Sequence, residues 1–360
     1  AVRTSGSVVT AADYDRDGDL DLFVGSRVIP GDYPLPPKSY LLRNDSEGAS
    51  VAFTDVTDEM APALADLGLV TSALWTDFNQ DDEVDLLVAG EWMPLTALQN
   101  DGDQFTNVTA EMGLSNTTGW WNSLTAGDFD RDGDVDYVAG NLGLNTEYTA
   151  STGEPVRIHA NDFDEDGELD PVVSRTIQGE RYPAYPRDAM VRQIPGMQRR
   201  FPSHRAYGEA AFDELFTDAE MDGAYVAEAF HFETSYVENQ EGTLAVRPLP
   251  VEAQFAPMFG LQTGDYDDDG HLDLLMVGNS YAPDTQTGRY DASTGALFRG
   301  DGNGRFTFVN HTTSGFFVDG DAKGLAEVQV GPAQSLVLAT QNSDSLRAFR
   351  RAPDAPQRQM

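Results

Sequence analysis

The chain has 360 residues, of which 60 are acidic and 23 are lysine or arginine, so its formal net charge is −37. This negative charge argues against binding to nucleic acid and to anionic membranes, whose phosphates are held by basic side chains. The chain has no cysteine, which excludes a disulfide framework and thiol chemistry. No apolar run approaches the ~18 residues of a membrane span, so no membrane insertion is expected.

The basic residues are almost all arginine, because Lys38 and Lys323 are the only two lysines. A very acidic, arginine-using composition is typical of a salt-loving microbe with a GC-rich genome. Ordinary codon bias combined with acidic loops would give the same composition, and the sequence does not separate these two explanations.

A nine-residue acidic pattern, D-aromatic-[DN]-x-D-[GD]-x-[LV]-D, occurs five times, at residues 13–21, 77–85, 128–136, 162–170 and 265–273. Calcium takes six to eight hard oxygen ligands at about 2.3–2.6 Å. Carboxylates at positions 1, 3 and 5 of such a loop can converge on one ion. The backbone carbonyl of position 7 adds a ligand, and position 9 closes the shell. The pattern therefore predicts about five structural Ca²⁺ ions, one in each loop.

The predicted calcium-binding residues occupy positions 1, 3, 5, 7 and 9 of each loop. They are Asp13, Asp15, Asp17, Asp19 and Asp21; Asp77, Asn79, Asp81, Glu83 and Asp85; Asp128, Asp130, Asp132, Asp134 and Asp136; Asp162, Asp164, Asp166, Glu168 and Asp170; and Asp265, Asp267, Asp269, His271 and Asp273. Position 6 needs a left-handed turn, which suits glycine in four copies and is tolerated by Asp82 in the second. The second loop, with Asn79 and Asp82, departs furthest from the pattern.

Two other interpretations of these loops are less favourable. An EF-hand requires a glutamate at position 12, where all five copies carry an apolar residue. Acidic surface turns without an ion would leave four or five carboxylates repelling one another within nine residues.

Strand-like apolar runs flank each loop, and hairpin signals with Asn, Asp and Gly follow most of them. One unit is therefore four antiparallel strands, and the loops lie 64, 51, 34 and 103 residues apart. Units of this size are typical of propeller blades. We expect an all-β, single-domain β-propeller over residues 1–360. Seven blades follow if the long interval hides a degenerate copy, and six if the short interval places two loops in one blade. Residues 325–330, 335–340 and 345–349 predict a final unit without an ion.

Residues 188–222 break the all-β pattern and predict a helical insertion, with Ser203 as a helix N-cap. Apolar residues at helical spacing, among them Tyr207, Leu215 and Phe216, form one face. The segment is also locally basic. It either packs on the acidic rim of its own propeller or acts as a lid or docking element for an acidic ligand.

The five loops, each followed by an apolar strand, resemble the FG-GAP/VCBS repeats of integrin α-subunit propellers and of many secreted bacterial proteins. The resemblance covers roughly residues 8–349. The segments at 120–122, 140–145 and 288–292 are similar to an exported bacterial VCBS subgroup. The resemblance implies a propeller with structural calcium and implies no particular substrate.

Catalytic motifs are absent from the sequence, and none of its five histidines has a partner at metal-ligand or triad spacing. We therefore expect a binding or adhesion module that recognises a surface protein or a glycan. The alternative is a carbohydrate-active enzyme, either a polysaccharide lyase or a glycoside hydrolase. Calcium loops favour a secreted, periplasmic or cell-surface bacterial protein, either on its own or as part of a longer chain or complex. Trp92, Arg289 and Tyr290 are the candidate ligand-binding residues, because they lie past strand ends and their types are frequent at binding hot spots.

Overall fold

A computed structural model describes residues 4–283, 287–331 and 334–351. Within them the strands form six antiparallel sheets. The first sheet contains β1 (Ser5–Ala12), β2 (Asp21–Val28), β3 (Tyr40–Asn44) and β4 (Phe53–Asp55). The second contains β5 (Leu69–Thr76), β6 (Asp85–Met93), β7 (Thr96–Asn100) and β8 (Phe105–Asn107), with β9 (Gly119–Trp120) paired to β6.

The third and fourth sheets are nested in the sequence. The third sheet begins with β10 (Ser123–Gly127) and β11 (Asp136–Gly140), and the chain then builds the whole of the fourth sheet. The fourth contains β12 (Val156–Asn161), β13 (Asp170–Ile177), β14 (Glu180–Pro183) and β15 (Tyr225–Ala229), in the order β14-β13-β12-β15. The chain then returns to complete the third sheet with β16 (Ser235–Asn239) and β17 (Leu244–Pro248).

The last two sheets follow the chain in order. The fifth contains β18 (Met258–Gly264), β19 (Asp273–Gly278), β20 (Ala296–Gly300) and β21 (Phe306–Val309). The sixth contains β22 (Ala322–Gly331), β23 (Gln334–Gln341) and β24 (Arg347–Arg350). This three-stranded sheet coincides with the unit predicted to lack an acidic loop.

The helices are all short. The α-helices are α1 (Thr57–Met60), α2 (Arg187–Gln193), α3 (Met197–Arg200), α4 (His204–Gly208), α5 (Asp218–Met221) and α6 (His311–Ser314). Three 3₁₀ helices span Pro62–Asp66, Phe212–Glu214 and Val251–Gln254. We call residues 187–221, from α2 to α5, the helical segment. Ser203 caps α4 as predicted, since its side chain accepts a hydrogen bond from the amide of Ala206. Among the described residues, no helix has the length and apolar character needed to cross a membrane.

The all-β class and the four-stranded antiparallel unit predicted from the sequence are confirmed. Two explanations of the uneven loop spacing, a degenerate copy hidden in the long interval and two loops in one blade, are both wrong. The third and fourth loops lie in separate sheets, and the long interval before the fifth loop contains the end of the fourth sheet and the end of the third. The number of blades stays a prediction.

The chain divides into two compact units. The first contains residues up to Trp121, Glu147–Phe232 and Gly242–Leu244, and it holds the first, second and fourth sheets. The second contains Asn122–Thr146, Glu233–Glu241 and the residues from Ala245 onward, and it holds the third sheet except for Leu244, together with the fifth and sixth.

Buried side chains from adjacent sheets form the core of each unit. In the first unit, Tyr14, Phe23, Leu86 and Val88 pack in one cluster and are at most 2% exposed. In the second, Phe129, Leu274 and Phe298 belong to a comparable cluster. The central strands β6, β11 and β19 contain runs of buried apolar residues, which accounts for their nearly continuous hydrophobic sequence.

Candidate functional site

The five acidic loops have the same position in five of the sheets. Each connects two adjacent antiparallel strands, and the residue before position 1 pairs with position 9. The pairs are Ala12 with Asp21, Thr76 with Asp85, Gly127 with Asp136, Asn161 with Asp170, and Gly264 with Asp273. Because the strand register is the same in all five hairpins, the nine loop positions lie at the same end of each one.

Two left-handed residues give each loop its shape. Position 6 has φ between 68° and 101° in all five copies, Asp82 included, so the predicted turn is confirmed. Position 4 is also left-handed, with φ between 59° and 67°. It is occupied by Arg16, Gln80, Arg131, Glu165 and Asp268. The sequence did not reveal this second turn, because none of these residues is the glycine that usually marks positive φ.

Backbone amides of the loop orient its carboxylates. In the first loop, Asp13 accepts a hydrogen bond from the amide of Gly18 at 3.1 Å, and Asp17 accepts one from Asp19 at 3.1 Å. Asp15 accepts one from the amide of Asp17 at 3.3 Å. Such a bond holds one oxygen of each carboxylate and leaves the other free to face the centre of the loop.

Four of the loops bring at least three carboxylates together, with ligand atoms that lie within 4.8 Å of one another. The groups are Asp13, Asp15 and Asp17; Asp128, Asp130 and Asp136; Asp130, Asp132 and Asp134; Asp162, Asp164 and Asp166; and Asp265, Asp267 and Asp269. The second loop has Asn79 at position 3, and the described residues show no group of three acids there.

Buried carboxylate oxygens without a hydrogen-bond partner occur in the same four loops. They belong to Asp13, Asp19, Asp128, Asp134, Asp164 and Asp265. An unsatisfied buried anion is costly, and a hard divalent cation would satisfy several of them at once. The residues therefore fit calcium. Asp19 and Asp134 occupy position 7, where only the backbone carbonyl was expected to bind, so their side chains also become candidate ligands.

Position 9 is buried and ties each loop to its sheet. Asp21 accepts hydrogen bonds from the amides of Tyr14, at position 2, and of Asn44, at the end of β3. Asp85, Asp136 and Asp273 accept equivalent pairs, and Asp170 accepts the position-2 bond from Phe163. The aromatic side chain of position 2 meanwhile enters the core. This explains why the pattern requires an aromatic residue between two acids.

Burial shifts the pKa of these position-9 carboxyls upward. Desolvation raises the pKa of Asp85 to about 7 and those of Asp21, Asp170 and Asp273 to about 6. Neighbouring loop carboxylates contribute to this rise in pKa, and the backbone hydrogen bonds oppose it. A bound divalent cation would favour the ionised form and oppose this shift.

Arginines at position 4 contact a neighbouring loop within each unit. In the first unit, Arg16 forms an ion pair with Glu83 of the second loop at 2.9 Å and donates to the carbonyl of Asp82. In the second unit, Arg131 of the third loop lies 3.5 Å from Nδ1 of His271 in the fifth. In both cases position 4 of one loop meets the position-7 side chain of another.

The candidate ligand-binding residues lie in different surroundings. Trp92 is only 7% exposed, because its indole packs against Trp120 and donates to Tyr33, and it lies within β6 and not past a strand end as predicted. Arg289 is exposed, and its guanidinium lies 4.7 Å from the ring of Tyr281. The alternative to ligand binding is that Arg289 pairs with Asp291 or Asp284 to fix its own loop, and Asp284 lies outside the described residues.

Tyr290 is half-buried and anchored to its own unit. Its backbone exchanges hydrogen bonds with Ser280, and its hydroxyl lies 3.2 Å from that of Thr146. A role for Tyr290 or Arg289 in ligand binding stays a prediction.

The family of FG-GAP-like repeats matches residues 77–139, from the second loop to β11. The predicted resemblance to FG-GAP repeats is therefore confirmed over these residues. No curated protein sequence matches the chain.

Two solved structures are similar to the chain over nearly all its length. An exotype rhamnogalacturonan lyase shares 14% identity with a TM-score of 0.36 over 96% of this chain and 55% of its own, so the chain spans about half the length of the lyase. The V. cholerae biofilm matrix protein Bap1 shares 10% identity with a TM-score of 0.35 over 98% of this chain and 69% of its own.

Proposed function

We propose that this chain, which contains an FG-GAP-like repeat at residues 77–139, is a calcium-stabilised extracellular module that binds a surface protein or a glycan. The observation that carries the calcium assignment is the set of buried, unsatisfied carboxylate oxygens in the acidic loops of four hairpins. Bound calcium supplies the positive charge that lets these carboxylates remain ionised side by side.

The proposed role of calcium is structural. Asp21, Asp85, Asp136 and Asp273 connect their loops to the third strand of their sheets, so an ordered loop also orders a sheet. An ion that binds the folded loops and not the unfolded chain stabilises the fold by mass action. The need for calcium also supports export, because free calcium is millimolar mainly outside the cytoplasm, in secreted, periplasmic or cell-surface locations.

Calorimetry of the purified chain tests the calcium assignment. We expect a melting temperature that is much lower with a chelator than with millimolar calcium, and only partly restored by magnesium, which demands smaller, near-octahedral sites. Asp130→Asn should reduce the response to calcium. The matched control is Asp103→Asn, which changes an exposed acid of a hairpin turn outside the loops. A melting temperature that is the same with and without the chelator would contradict the proposal.

Binding to a partner is tested separately. The calcium-loaded chain is screened against a glycan array and against surface proteins of its host cell. Saturable binding to a glycan or to a surface protein supports the proposed binding function. Release of soluble product from a polysaccharide by the chain alone would instead favour the carbohydrate-active enzyme.

A further inference from the structure

We propose that a cluster of five residues in the first unit, Tyr33, Glu91, Trp92, Trp120 and Tyr148, binds an uncharged sugar ring. The inference rests on the proposed function, since it selects a neutral glycan from the two partner classes and gives it a site. The cluster lies at the end of the second sheet opposite the acidic loop, because β6 starts at the loop residue Asp85 and ends at Met93.

A β-bulge creates the cluster. On β6, Glu91 pairs with Trp120 and Met93 pairs with Gly119, so Trp92 is one extra residue opposite β9. In a regular strand the side chain of Trp92 would point to the face opposite that of Glu91. In the structure its indole instead contacts that of Trp120, which faces the same side as Glu91, with centroids 4.9 Å apart at 68°. Bulges that redirect a side chain are frequent beside active sites.

The backbone of Trp92 is strained. Its φ is 59°, a left-handed value that is a genuine outlier for a bulky residue. Such conformations persist only where surrounding contacts hold them, and they concentrate at sites that bind ligands. Here Nε1 of Trp92 donates a 2.8 Å hydrogen bond to the hydroxyl of Tyr33. That hydroxyl donates to Glu91 at 3.4 Å, so the indole and the carboxylate are held in one network.

The rings of the cluster form a partly open platform. Tyr148 meets Trp120 edge-on at 5.1 Å, and Phe232 lies 5.1 Å from the same indole. Trp120, Tyr33 and Tyr148 keep part of their surface exposed, whereas Phe232 is 2% exposed and supports the platform from within. An apolar aromatic surface beside a few fixed polar groups is the usual composition of a small-molecule site. We expect a pyranose to bind there with its C–H groups against the rings and its hydroxyls toward Glu91.

The charges around the platform select a neutral sugar. Arg27 is paired with Glu91, and Arg175 is paired with Glu147 at 3.0 Å, so a carboxylate already neutralises each guanidinium. The chain as a whole carries a net charge of −37, which repels uronates and sulfated polymers. Sugar hydroxyls can both donate to the carboxylate and accept from the guanidinium of such a pair.

Titration of the calcium-loaded chain with cellohexaose, mannohexaose and xylohexaose tests the site, with hexagalacturonic acid as the charged counterpart. Readouts are tryptophan fluorescence and calorimetry. We expect saturable binding of at least one neutral hexasaccharide with a change in fluorescence, and none of the uronate. Tyr33→Phe and Glu91→Gln should each weaken binding about tenfold, the effect of one lost hydrogen bond. Tyr40→Phe, which removes a hydroxyl elsewhere in the same unit, should leave binding unchanged.

The outcomes separate the site from the proposed function. If both Tyr33→Phe and Glu91→Gln still bind the neutral sugar as the unmodified chain does, the proposed site is refuted. The proposed glycan-binding function then stands. Binding of the uronate alone would refute the neutral ligand. If no hexasaccharide binds but a surface protein does, the site is wrong and the proposed function stands. If no partner of either class binds, both proposals fail.

Discussion

The hydroxyl of Tyr236 donates a 2.6 Å hydrogen bond to Oδ2 of Asp136, although the two residues are 100 positions apart in the sequence. Asp136 is position 9 of the third loop, and its other oxygen accepts from the amide of Asn239. The ring of Tyr236 is held between Phe129, at position 2 of the same loop, and the guanidinium of Arg247. The Tyr236 side chain on β16 thus holds the third loop, which precedes the fourth sheet in the sequence.

Tyr236→Phe should therefore destabilise the chain by about 1–3 kcal/mol, because a buried carboxylate loses a partner and retains its desolvation cost. It should also weaken calcium binding at the third loop. Urea unfolding in saturating calcium measures the first effect, and calcium titration measures the second. Tyr40→Phe is the control, and equal behaviour of the two variants would contradict the role of this hydroxyl.

Asn79→Asp should make the chain depend more strongly on calcium. The Asn79 amide now donates to Asp81 at 2.8 Å, which relieves repulsion in the second loop. An aspartate there would lose this bond and add a negative charge, but it would restore the ligand pattern of the other loops. The melting temperature should fall with chelator and rise with calcium. Asn107→Asp, in β8 of the same sheet, should not widen this difference.

His159 should make stability depend on pH in the acidic range. Its ring is 4% exposed, stacks on Phe212 at 4.4 Å, and has no hydrogen-bond partner on either nitrogen. Burial, together with the nearby guanidinium groups of Arg181 and Arg157, lowers its pKa to about 4. The unfolded chain therefore binds the proton more readily, so stability is full above pH ~6.5 and falls toward pH 4 by up to about 1.4 kcal/mol per pH unit.

The matched variant for this prediction is His159→Phe, which keeps the aromatic stack and removes the titrating group. Its stability at pH 7 should be equal or higher, and its loss between pH 6.5 and 4 should be smaller than in the unmodified chain. Both proteins are unfolded with urea in saturating calcium, so that the loop carboxylates contribute equally. Parallel pH profiles would show that His159 does not titrate on unfolding.

Phe216→Ala should loosen the helical segment. Phe216 stacks at 4.1 Å on Phe163, which is position 2 of the fourth loop, and it lies in a core with Met190 and Leu215. Loss of a large buried side chain costs about 3 kcal/mol or more. Trypsin should then cleave faster at the exposed Arg192 and Arg199. Chelation of calcium from the unmodified chain should have the same direction of effect.

The control for the proteolysis is Phe255→Ala, since Phe255 is 41% exposed and lies in the other unit. Unchanged cleavage of Phe216→Ala would mean that the helical segment is held independently of the fourth loop. Its basic residues are in part used internally, because Arg200 pairs with Glu220 and Arg205 with Glu209. Arg200 and Arg205 thus pair with acids of the segment itself, and the segment contacts the fourth loop through the stack of Phe216 on Phe163. Both sequence interpretations of the segment stay predictions.

Local patterns carried most of what could be predicted from the sequence. The acidic loops, the turn at position 6 and the cap at Ser203 depend on residues within nine positions of one another. A short sequence pattern is therefore enough to predict them. The nesting of the fourth sheet could not be predicted, because the pairing of Val138 with Tyr236 spans more than a quarter of the chain. The burial of Trp92 was missed because β6 extends to Met93 through a bulge, so Trp92 lies within the strand and not past its end.

Because the fourth sheet lies within the third in the sequence, the strands of the third sheet leave the ribosome at widely separated times. The amides that cap position 9 lie 23, 15 and 27 residues downstream in the first, second and fifth sheets, but 103 residues downstream in the third. At roughly 5–20 residues per second, the cap of the third loop arrives some 5–20 seconds after its carboxylates. The third loop therefore receives its second backbone donor only after the strands of the fourth sheet have been synthesised, whereas the first, second and fifth loops receive theirs within 27 residues.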